Sequence, residues 1–372
     1  MSKKILITGG AGFIGSHLAD ELLEKGYDVR VLDNLSEQVH GKNCIRPEYL
    51  NADVELIIGD VRDENKIKKA LRGVDAVYHY AAMVGVGQSM YEIKNYTDVN
   101  NIGTTVLLEA LIKNPVEKLV IASSMSIYGE GLYKTNDGTP KAGLDRPLTQ
   151  LKNGDWEVID NEGNALTPYP TPETKTPSLS SVYALSKFDQ ERLCLLIGKA
   201  YQIPTVALRF FNVYGTRQAL SNPYTGVLAI FAARLLNNNC PLVFEDGHQK
   251  RDFVSVYDIA QASLLALEKK EANFEVFNIG SGNAYTIIEI AERLAAILNK
   301  EYLSAEITGK YRVGDIRHCF ADISKARDIL GYEPAIQLED GLIELAEWLQ
   351  GQTAIDKVSE ASKELASRGL TV

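Results

Sequence analysis

The segment Thr8-Gly9-Gly10-Ala11-Gly12-Phe13-Ile14-Gly15 joins a short apolar run at residues 4–8 to an amphipathic stretch at residues 14–25. Glycines let the backbone turn tightly and let phosphate oxygens approach its amides. A helix N-terminus adds unpaired N–H groups at the positive end of the helix dipole. A strand, a glycine turn and a helix in this order predict a dinucleotide-binding site. Its predicted cofactor-binding residues are Gly9, Gly12, Phe13, Ile14 and Gly15.

The same alternation of short apolar runs and longer amphipathic stretches continues along the chain. Uninterrupted apolar runs suit strands that are buried on both faces, so the pattern predicts a Rossmann-type α/β fold, a doubly wound parallel sheet wrapped by helices. The predicted strands are residues 4–8, 29–32, 54–58, 76–79, 118–123, 205–209 and 276–279. The predicted helices are residues 14–25, 64–71, 95–113, 182–201 and 256–269.

We expect three parts along the chain. Residues 1–215 form the dinucleotide-binding domain, and residues 216–350 form most of a smaller mixed substrate domain, with a strand near 276–279 that returns to the sheet. Residues 351–372 form a polar helical tail that says nothing about function. An insertion at about residues 131–181 is rich in Pro, Gly, Asn, Asp and Thr, and residues 155–160 followed by 161–164 resemble a hairpin strand and its turn.

Composition restricts the classes of function. The 372 residues carry a net charge of -10, which argues against a nucleic-acid surface. The first apolar run is too short for a signal peptide and no stretch is long enough to span a membrane, so we expect a cytoplasmic protein. The four cysteines show no CxxC spacing, so we expect free thiols and no metal site.

Asp33 ends the second predicted strand, about where an acidic partner of the glycine motif is expected, roughly 20 residues on. A carboxylate there accepts hydrogen bonds from a ribose 2′-hydroxyl and repels a 2′-phosphate, so the sequence predicts NAD rather than NADP. The alternative is a glycine turn used for packing and an aspartate that caps a loop. Asp60 and Val61 follow the third strand, where Asp60 could reach the adenine amino group; a plain turn explains them equally well.

Tyr183 and Lys187 are four residues apart, which places them on one face of a helix. The pKa of a tyrosine is about 10, and an ammonium and a positively charged nicotinamide ring would both stabilise its phenolate. A decrease of roughly 3 units needs on the order of 4 kcal/mol of differential interaction. A pair with this spacing is also common on surface helices, so the pair alone does not identify a proton-transfer site.

The segment Ser123-Ser124-Met125-Ser126-Ile127-Tyr128-Gly129 ends a predicted buried strand, at the sheet edge where ligands bind. With Tyr183 and Lys187 it indicates a proton-transfer site in which Ser124 orients a substrate hydroxyl. The alternative for Ser124 is a serine that caps the strand end.

With these motifs the chain resembles the extended short-chain dehydrogenase/reductases that act on nucleotide sugars, the UDP-galactose 4-epimerase superfamily. The resemblance extends from the glycine motif to about residue 334. The motifs that carry it lie at residues 9–15, 59–62, 79–82, 98–104, 123–129, 183–187, 209–215 and 251–258.

The resemblance implies a catalytic set of Ser124, Tyr183 and Lys187, and a homodimer that pairs helices 95–113 and 182–201. It implies that NAD also contacts Asn34, Asp60, Val61, Ala81, Ala82, Asn100, Ser123 and Phe211, with Asn100 helping to organise the site. It implies that a nucleotide-sugar substrate contacts Gln88, Ser89, Ser124, Ser126, Asn212, Arg251 and Arg317, with Arg312 a weaker candidate. Guanidinium groups suit a diphosphate, although each arginine could instead form a salt bridge.

Subfamilies of this superfamily differ beside the catalytic serine. Dehydratases carry an acid–base pair there and decarboxylases of UDP-glucuronate carry a glutamate, whereas this chain has Met125 and Ser126. The remaining machinery suits a 4-epimerase or a 4-keto-sugar reductase or dehydrogenase, and the NAD preference favours the epimerase. A catalytically silent dinucleotide-binding regulator is a further alternative, but such proteins typically lose the tyrosine or the lysine, and both are present here.

The closer resemblance is to bacterial epimerases of the dTDP-L-rhamnose 4-epimerase kind. The segments that carry it are residues 31–35, 38–41, 87–91 and 124–131. The sequence leaves open the nucleotide base, the sugar, and inversion at C2 rather than C4. The segment between Tyr128 and Tyr183 is several tens of residues longer than in short epimerases, and we expect it to cover the sugar or extend the dimer surface.

Overall fold

The secondary structure comes from a computed structural model that describes residues 2–224 and 226–371. Its strands are β1 (Lys4–Thr8), β2 (Asp28–Asp33), β3 (Glu55–Ile58), β4 (Ala76–His79), β5 (Lys118–Ser124), β6 (Leu132–Lys134), β7 (Pro140–Ala142), β8 (Thr167–Tyr169), β9 (Thr205–Phe210), β10 (Asn212–Tyr214), β11 (Leu242–Val243), β12 (Lys250–Arg251), β13 (Phe253–Ser255), β14 (Val276–Ile279), β15 (Tyr285–Thr286), β16 (Glu306–Ile307) and β17 (His318–Cys319).

The helices alternate with these strands through most of the chain. They are α1 (Phe13–Glu24), α2 (Glu37–His40), α3 (Glu64–Ala70), α4 (Val86–Ser89), α5 (Ile93–Tyr96), α6 (Gly103–Lys113), α7 (Leu148–Lys152), α8 (Val182–Ala200), α9 (Val227–Leu236), α10 (Val256–Glu268), α11 (Ile287–Ile297), α12 (Leu338–Leu349) and α13 (Val358–Ser367). Short 3₁₀ or π turns occur at Thr97–Ile102, Met125–Tyr128, Lys270–Ala272 and Ala326–Leu330.

Seven parallel strands form the central sheet in the order β14-β9-β5-β4-β1-β2-β3. One face is covered by apolar residues of α1 and α10, and the other by residues of α3, α6 and α8. The strand order reverses between β1 and β4, which opens a crevice at the carboxyl ends of these strands. The prediction of a doubly wound parallel sheet is therefore confirmed.

Two predicted elements differ from the structure. The helix predicted over residues 95–113 contains a π-helical turn at Thr97–Ile102 between α5 and α6, and such turns are frequent at functional sites. Residues 155–160 form no strand. An isolated antiparallel bridge between Ile159 and Ala165 closes the turn, whose amides bond the Asp160 carboxylate. The insertion instead builds its own antiparallel sheet in the order β7-β6-β8.

The C-terminal part packs a second apolar core beside the crevice. Helices α9, α11 and α12 share this core with Phe253 of β13 and Val243 of β11. The tail does not leave the body of the protein, because Thr371 pairs with Arg312 in an antiparallel bridge. In the described part of the chain, no helix is long and apolar enough to cross a membrane, and no group of three or more acidic, His or Cys side chains could hold a metal ion.

Candidate active site

A cavity of about 550 Å³ occupies the crevice at the carboxyl ends of the central strands. Gly9, Gly12 and Gly15 of the glycine motif form its floor. Gly9 has φ +70°, and a Cβ there would lie 2.7 Å from the amide nitrogen of Ala81. A Cβ on Gly15 would lie 2.5 Å from the Cα of Gly10. Only glycine therefore permits this close passage of the backbone.

The N-terminus of α1 faces this cavity without a side-chain cap. Gly12 occupies the N-cap position and can offer no side-chain oxygen to the first amides of the helix. Those amides are left for another acceptor, and the dipole of α1 favours an anion there. The floor of the cavity therefore fits the diphosphate of a dinucleotide.

Acidic side chains line the far end of the same cavity. The carboxylate of Asp33 accepts hydrogen bonds from the amides of Ala11 at 3.0 Å and Leu35 at 2.9 Å, which fix it at the end of β2. Asp60 is held by the side chains of Arg62 and Asn34, and the hydrogen bond from Arg62 lowers the pKa of Asp60 to about 2. Both carboxylates therefore stand ready to accept hydrogen bonds from hydroxyl or amino groups.

Replacement of Asp33 tests cofactor choice. We expect Asp33→Ser to reduce the preference for NAD over NADP by at least about tenfold, because hydrogen bonds to a charged group are lost and the repulsion of a 2′-phosphate is relieved. The measurement is the ratio of the two dissociation constants, which cancels general damage to the loop. Asp28→Ser, at the exposed opposite end of β2, is the matched control. An unchanged ratio in Asp33→Ser would argue against this role.

A second cavity of about 340 Å³ adjoins the first. Ser124, Tyr183, Phe211 and Asn212 line both cavities, so these residues stand at their junction. A ligand in the smaller cavity would meet the ring end of a dinucleotide in the larger one beside these side chains. This junction is where chemistry between two bound molecules can occur.

Tyr183 lies in the first turn of α8 and is fixed there from two sides. The hydroxyl of Ser181 caps the helix by accepting the amide of Ala184 at 3.1 Å, and the hydroxyl of Ser89 accepts the amide of Tyr183 at 3.0 Å. Burial raises the pKa of the Tyr183 hydroxyl, and a hydrogen bond with Ser124 opposes that rise. Ser124 is in turn bonded to Ser126, with 2.6 Å between the two hydroxyl oxygens.

Lys187 lies one turn along α8 and lines the larger cavity. Its ammonium donates to the side-chain oxygen of Gln190 at 2.6 Å, and burial lowers its pKa to about 8. Gln190 donates in turn to Thr104 at 2.9 Å. Among the groups of the chain, burial raises the pKa of Tyr183, so the expectation that Lys187 and the nicotinamide ring together lower it stays a prediction. A phenolate at neutral pH therefore needs the charge of the oxidised cofactor as well.

The other residues predicted to contact the cofactor fall into two groups, those that line the larger cavity and those that do not. Those that line the larger cavity are Phe13, Ile14, Asn34, Val61, Ala81, Ala82 and Ser123. Ser123 donates its hydroxyl to buried Glu191 at 2.6 Å, so its side chain is already committed. Asn100 does not line the cavity. From the π-helical turn its side chain bonds the backbone of Met83 and the hydroxyl of Ser186, which makes it a positioning residue.

The residues predicted to contact the substrate also fall into two groups, those that line the smaller cavity and those that lie behind its wall. Ser126, Asn212 and Arg251 line the smaller cavity. Gln88 and Ser89 lie behind its wall: Gln88 bonds Gln38, Glu92 and Tyr96, and Ser89 supports Tyr183. These two residues shape the cavity from outside rather than contact a ligand in it.

The structure does not support the expectation from the resemblance that Arg317 binds the substrate diphosphate. Its side chain is 1% exposed, and its guanidinium donates to Glu157, Glu245 and Asp246 at 2.6 to 3.1 Å. No donor is left for a diphosphate. Arg312, the weaker candidate, lines the smaller cavity, where it pairs with Asp315 at 2.8 Å and lies over the ring of Phe244. Arg251 and Arg312 are therefore the cations of this cavity among the described residues.

Two residues at the smaller cavity have an unpaired side-chain oxygen, and one of them, Gln249, was not predicted from the sequence. The side-chain oxygens of Gln249 and Asn212 have no hydrogen-bond partner among the described groups, although both atoms are buried. Gln249 stands two residues before Arg251, and this spacing on an extended segment was the available signal. Both residues line the smaller cavity, but these oxygens are buried away from its open space, so they do not by themselves identify a ligand.

Comparison with known proteins identifies the family. The NAD dependent epimerase/dehydratase family matches residues 5–149 and 162–280. A dTDP-L-rhamnose 4-epimerase of Burkholderia thailandensis is 36% identical over 351 residues, which cover 93% of this chain and 95% of that protein. The crystal structure of UDP-glucose 4-epimerase from Thermotoga maritima with UDP-glucose has a TM-score of 0.75 and 32% identity, covering 93% of this chain and 98% of the other.

The cofactor follows from the same comparison. The UDP-glucose 4-epimerase of Thermus thermophilus, solved with NAD, has a TM-score of 0.75 and 30% identity, covering 94% of this chain and 100% of the other. The chain belongs to the NAD-dependent epimerase/dehydratase family. Within that family it is an enzyme of the nucleotide-sugar 4-epimerase group, and its cofactor is NAD.

Proposed function

We propose that this enzyme inverts C4 of a UDP- or dTDP-linked hexose or deoxyhexose, with Tyr183 as the group that takes and returns the proton of the 4-hydroxyl. The observation that carries the proposal is the junction of the two cavities at Ser124 and Tyr183. It allows one hydroxyl to meet a tyrosine, a serine and the ring end of NAD at one point.

Each residue at the junction has a separate task. The Ser124 hydroxyl accepts or donates a hydrogen bond to the sugar hydroxyl, and Ser126 fixes its orientation at 2.6 Å. Tyr183 Oη removes the proton, because the ammonium of Lys187 and the bound cofactor together favour the phenolate. Lys187 is held by Gln190 at the wall of the larger cavity, where it would bond the nicotinamide ribose. When bound, NAD would supply reversible hydride transfer at C4, which lets the configuration of that carbon invert.

The carboxylates of the cavity argue against a dehydratase. Among the described residues that line the smaller cavity, the acids are Glu245 and Asp315. Glu245 is paired with Arg146 and Arg317, and Asp315 is paired with Arg312. Neither is a free acid or base, and Met125 and Ser126 stand beside Ser124. Removal of water from the sugar would need a further proton-transfer group.

Incubation with a panel of UDP-, dTDP-, GDP- and CDP-linked sugars tests the proposal. Following the products by NMR without added NADH, we expect the 4-epimer of a UDP- or dTDP-linked sugar to accumulate to equilibrium. Stoichiometric consumption of added NADH with no epimer would indicate a 4-keto-sugar reductase instead. Inversion at C2 alone would also contradict the proposal.

We also propose that two copies pair through α8 and the helical segment that contains Ile102. Leu185 and Leu196 are about half exposed and stand eleven residues apart, which is close to three helical turns and thus one face of α8. Asn101 bonds Asp189 at 2.6 Å, which keeps Ile102 beside that face. Exposed apolar side chains clustered on adjacent helices are typical of an interface. Sedimentation velocity of the intact chain tests this pairing.

A further inference from the structure

The C-terminal tail crosses the smaller cavity instead of extending into solvent. Val358, Ala361, Ser362 and Leu365 of α13 line that cavity. Ala361 and Leu365 are 8% and 5% exposed, although the tail sequence is polar and carries no family motif. A polar segment that buries its few apolar residues on a ligand cavity forms part of the wall of that cavity.

Both ends of the tail are attached to the body of the protein. At its start, the carbonyl of Ala354 accepts from Asn237 at 2.8 Å, and Asp356 pairs with Arg234 at 3.2 Å. At its end, the amide of Val313 donates to the carbonyl of Leu370 at 2.9 Å, and the guanidinium of Arg368 lies 4.5 Å from the ring centroid of Tyr91. The tail therefore bridges the substrate domain and the segment that follows β4.

The second attachment places α13 at the catalytic end of the cavity. A Cβ on Gly87 of α4 would lie 3.4 Å from a methyl carbon of Leu365. The same short helix carries Ser89, whose hydroxyl accepts the amide of Tyr183. Leu365 is thus separated from the Tyr183 backbone by a single element, and it lines the cavity where α13 packs against α4.

The charges of the smaller cavity restrict which sugars can lie beside α13. Of the described residues that line the cavity, Arg251 and Arg312 alone are cationic, and we assign both to the diphosphate. The Arg251 guanidinium also donates to main-chain carbonyls, which fix its position. The four lining residues of α13 carry no charge. A sugar carboxylate beside them would be buried without a partner, which is strongly unfavourable.

We propose that α13 is the specificity wall of the sugar subsite, that Leu365 contacts the sugar, and that this wall selects uncharged sugars over uronic acids. The inference rests on the proposed function only in taking the ligand to be a nucleotide sugar. It concerns binding, so it does not depend on which bond of the sugar reacts.

A lysine on this wall tests the inference by a gain of binding. In the NAD-bound holoenzyme, Leu365→Lys places a cation at the sugar and Ala366→Lys places one on the exposed face of the same helix. We expect the ratio of affinities for UDP-glucuronate and UDP-glucose to shift at least about tenfold toward the uronate in Leu365→Lys, and less than about twofold in Ala366→Lys. Equal shifts in the two variants, or no shift in either, would overturn the inference.

Proteolysis of the unmodified enzyme gives a second test that needs no variant to fold. Trypsin can cut at exposed Lys363 and Arg368. We expect UDP-glucose to slow these cuts and UDP alone to leave them near the rate of the free enzyme, because only the sugar reaches α13. Equal protection by both would contradict a sugar contact. If the sugar protects α13 and Leu365→Lys shifts the affinities but no 4-epimer forms, only the proposed function is refuted. If a 4-epimer forms but neither effect is seen, only the role of α13 in the sugar subsite is refuted.

Discussion

Tyr183→Phe is expected to lower turnover at least about a hundredfold, the low end for loss of a general base. Tyr183 is the titratable side chain that lines both cavities at their junction. The substitution removes one oxygen and keeps the buried ring, so the affinities for NAD and for the nucleotide sugar should change little. Steady-state rates together with direct binding of both ligands measure the effect.

Tyr96→Phe is the matched control for that substitution. Tyr96 is fully buried, packs edge-on against Tyr183 at 6.4 Å between ring centroids, and donates its hydroxyl to Gln88 at 3.1 Å. Tyr96 lines neither cavity, so the turnover of Tyr96→Phe should stay within a few-fold of that of the unmodified enzyme. Near-normal turnover of Tyr183→Phe, or an equal loss in Tyr96→Phe, would refute the assignment of the proton to Tyr183.

Arg317→Met should destabilise the fold by about 3–5 kcal/mol while leaving substrate affinity near normal at temperatures where the variant is folded. The change removes the cation bonded to Glu157, Glu245 and Asp246, and Glu245 has only 2% of its side chain exposed. Breaking one partner of a buried ionic cluster leaves the others without compensation. Urea unfolding and the Michaelis constant measure the two effects.

Arg312→Met should show the opposite behaviour. Arg312 is about one-third exposed and its partner Asp315 is partly exposed, so stability should change by less than about 1 kcal/mol. Loss of a charged donor to a diphosphate should weaken substrate binding by at least about tenfold. If Arg317→Met weakened substrate binding without loss of stability, Arg317 would contact the substrate after all, as the resemblance implies.

The fold was predictable because its signals are local. The bounds of β1, β4 and β14 match the predicted strands, and β5 and β9 each extend one residue beyond them, to Ser124 and Phe210. Buried parallel strands need continuous apolar runs, and the glycine turn must occupy one point between a strand and a helix. The helix predicted over residues 182–201 contains Tyr183 and Lys187, and their spacing of four residues places them on one face of α8.

The partners of Arg317 could not be predicted, because they are distant in sequence. They include Glu157, 160 residues away in the insertion, and Glu245, 72 residues away. An arginine near a diphosphate and an arginine in a buried ionic cluster look alike in a sequence. The tail gave no signal for a related reason, since its place on the cavity depends on contacts such as Arg368 with Tyr91 rather than on its own pattern.

The hydrogen on C4 offers the most direct test of the central claim that one carbon is oxidised and reduced beside Tyr183. The nucleotide sugar that the panel identifies is labelled with deuterium at C4 and incubated with the enzyme in ordinary water. NMR and mass spectrometry of the product then follow the label. The account predicts a 4-epimer that keeps its deuterium at C4, because only O–H protons exchange through Tyr183. Loss of the deuterium to water, or inversion at another carbon, would contradict it.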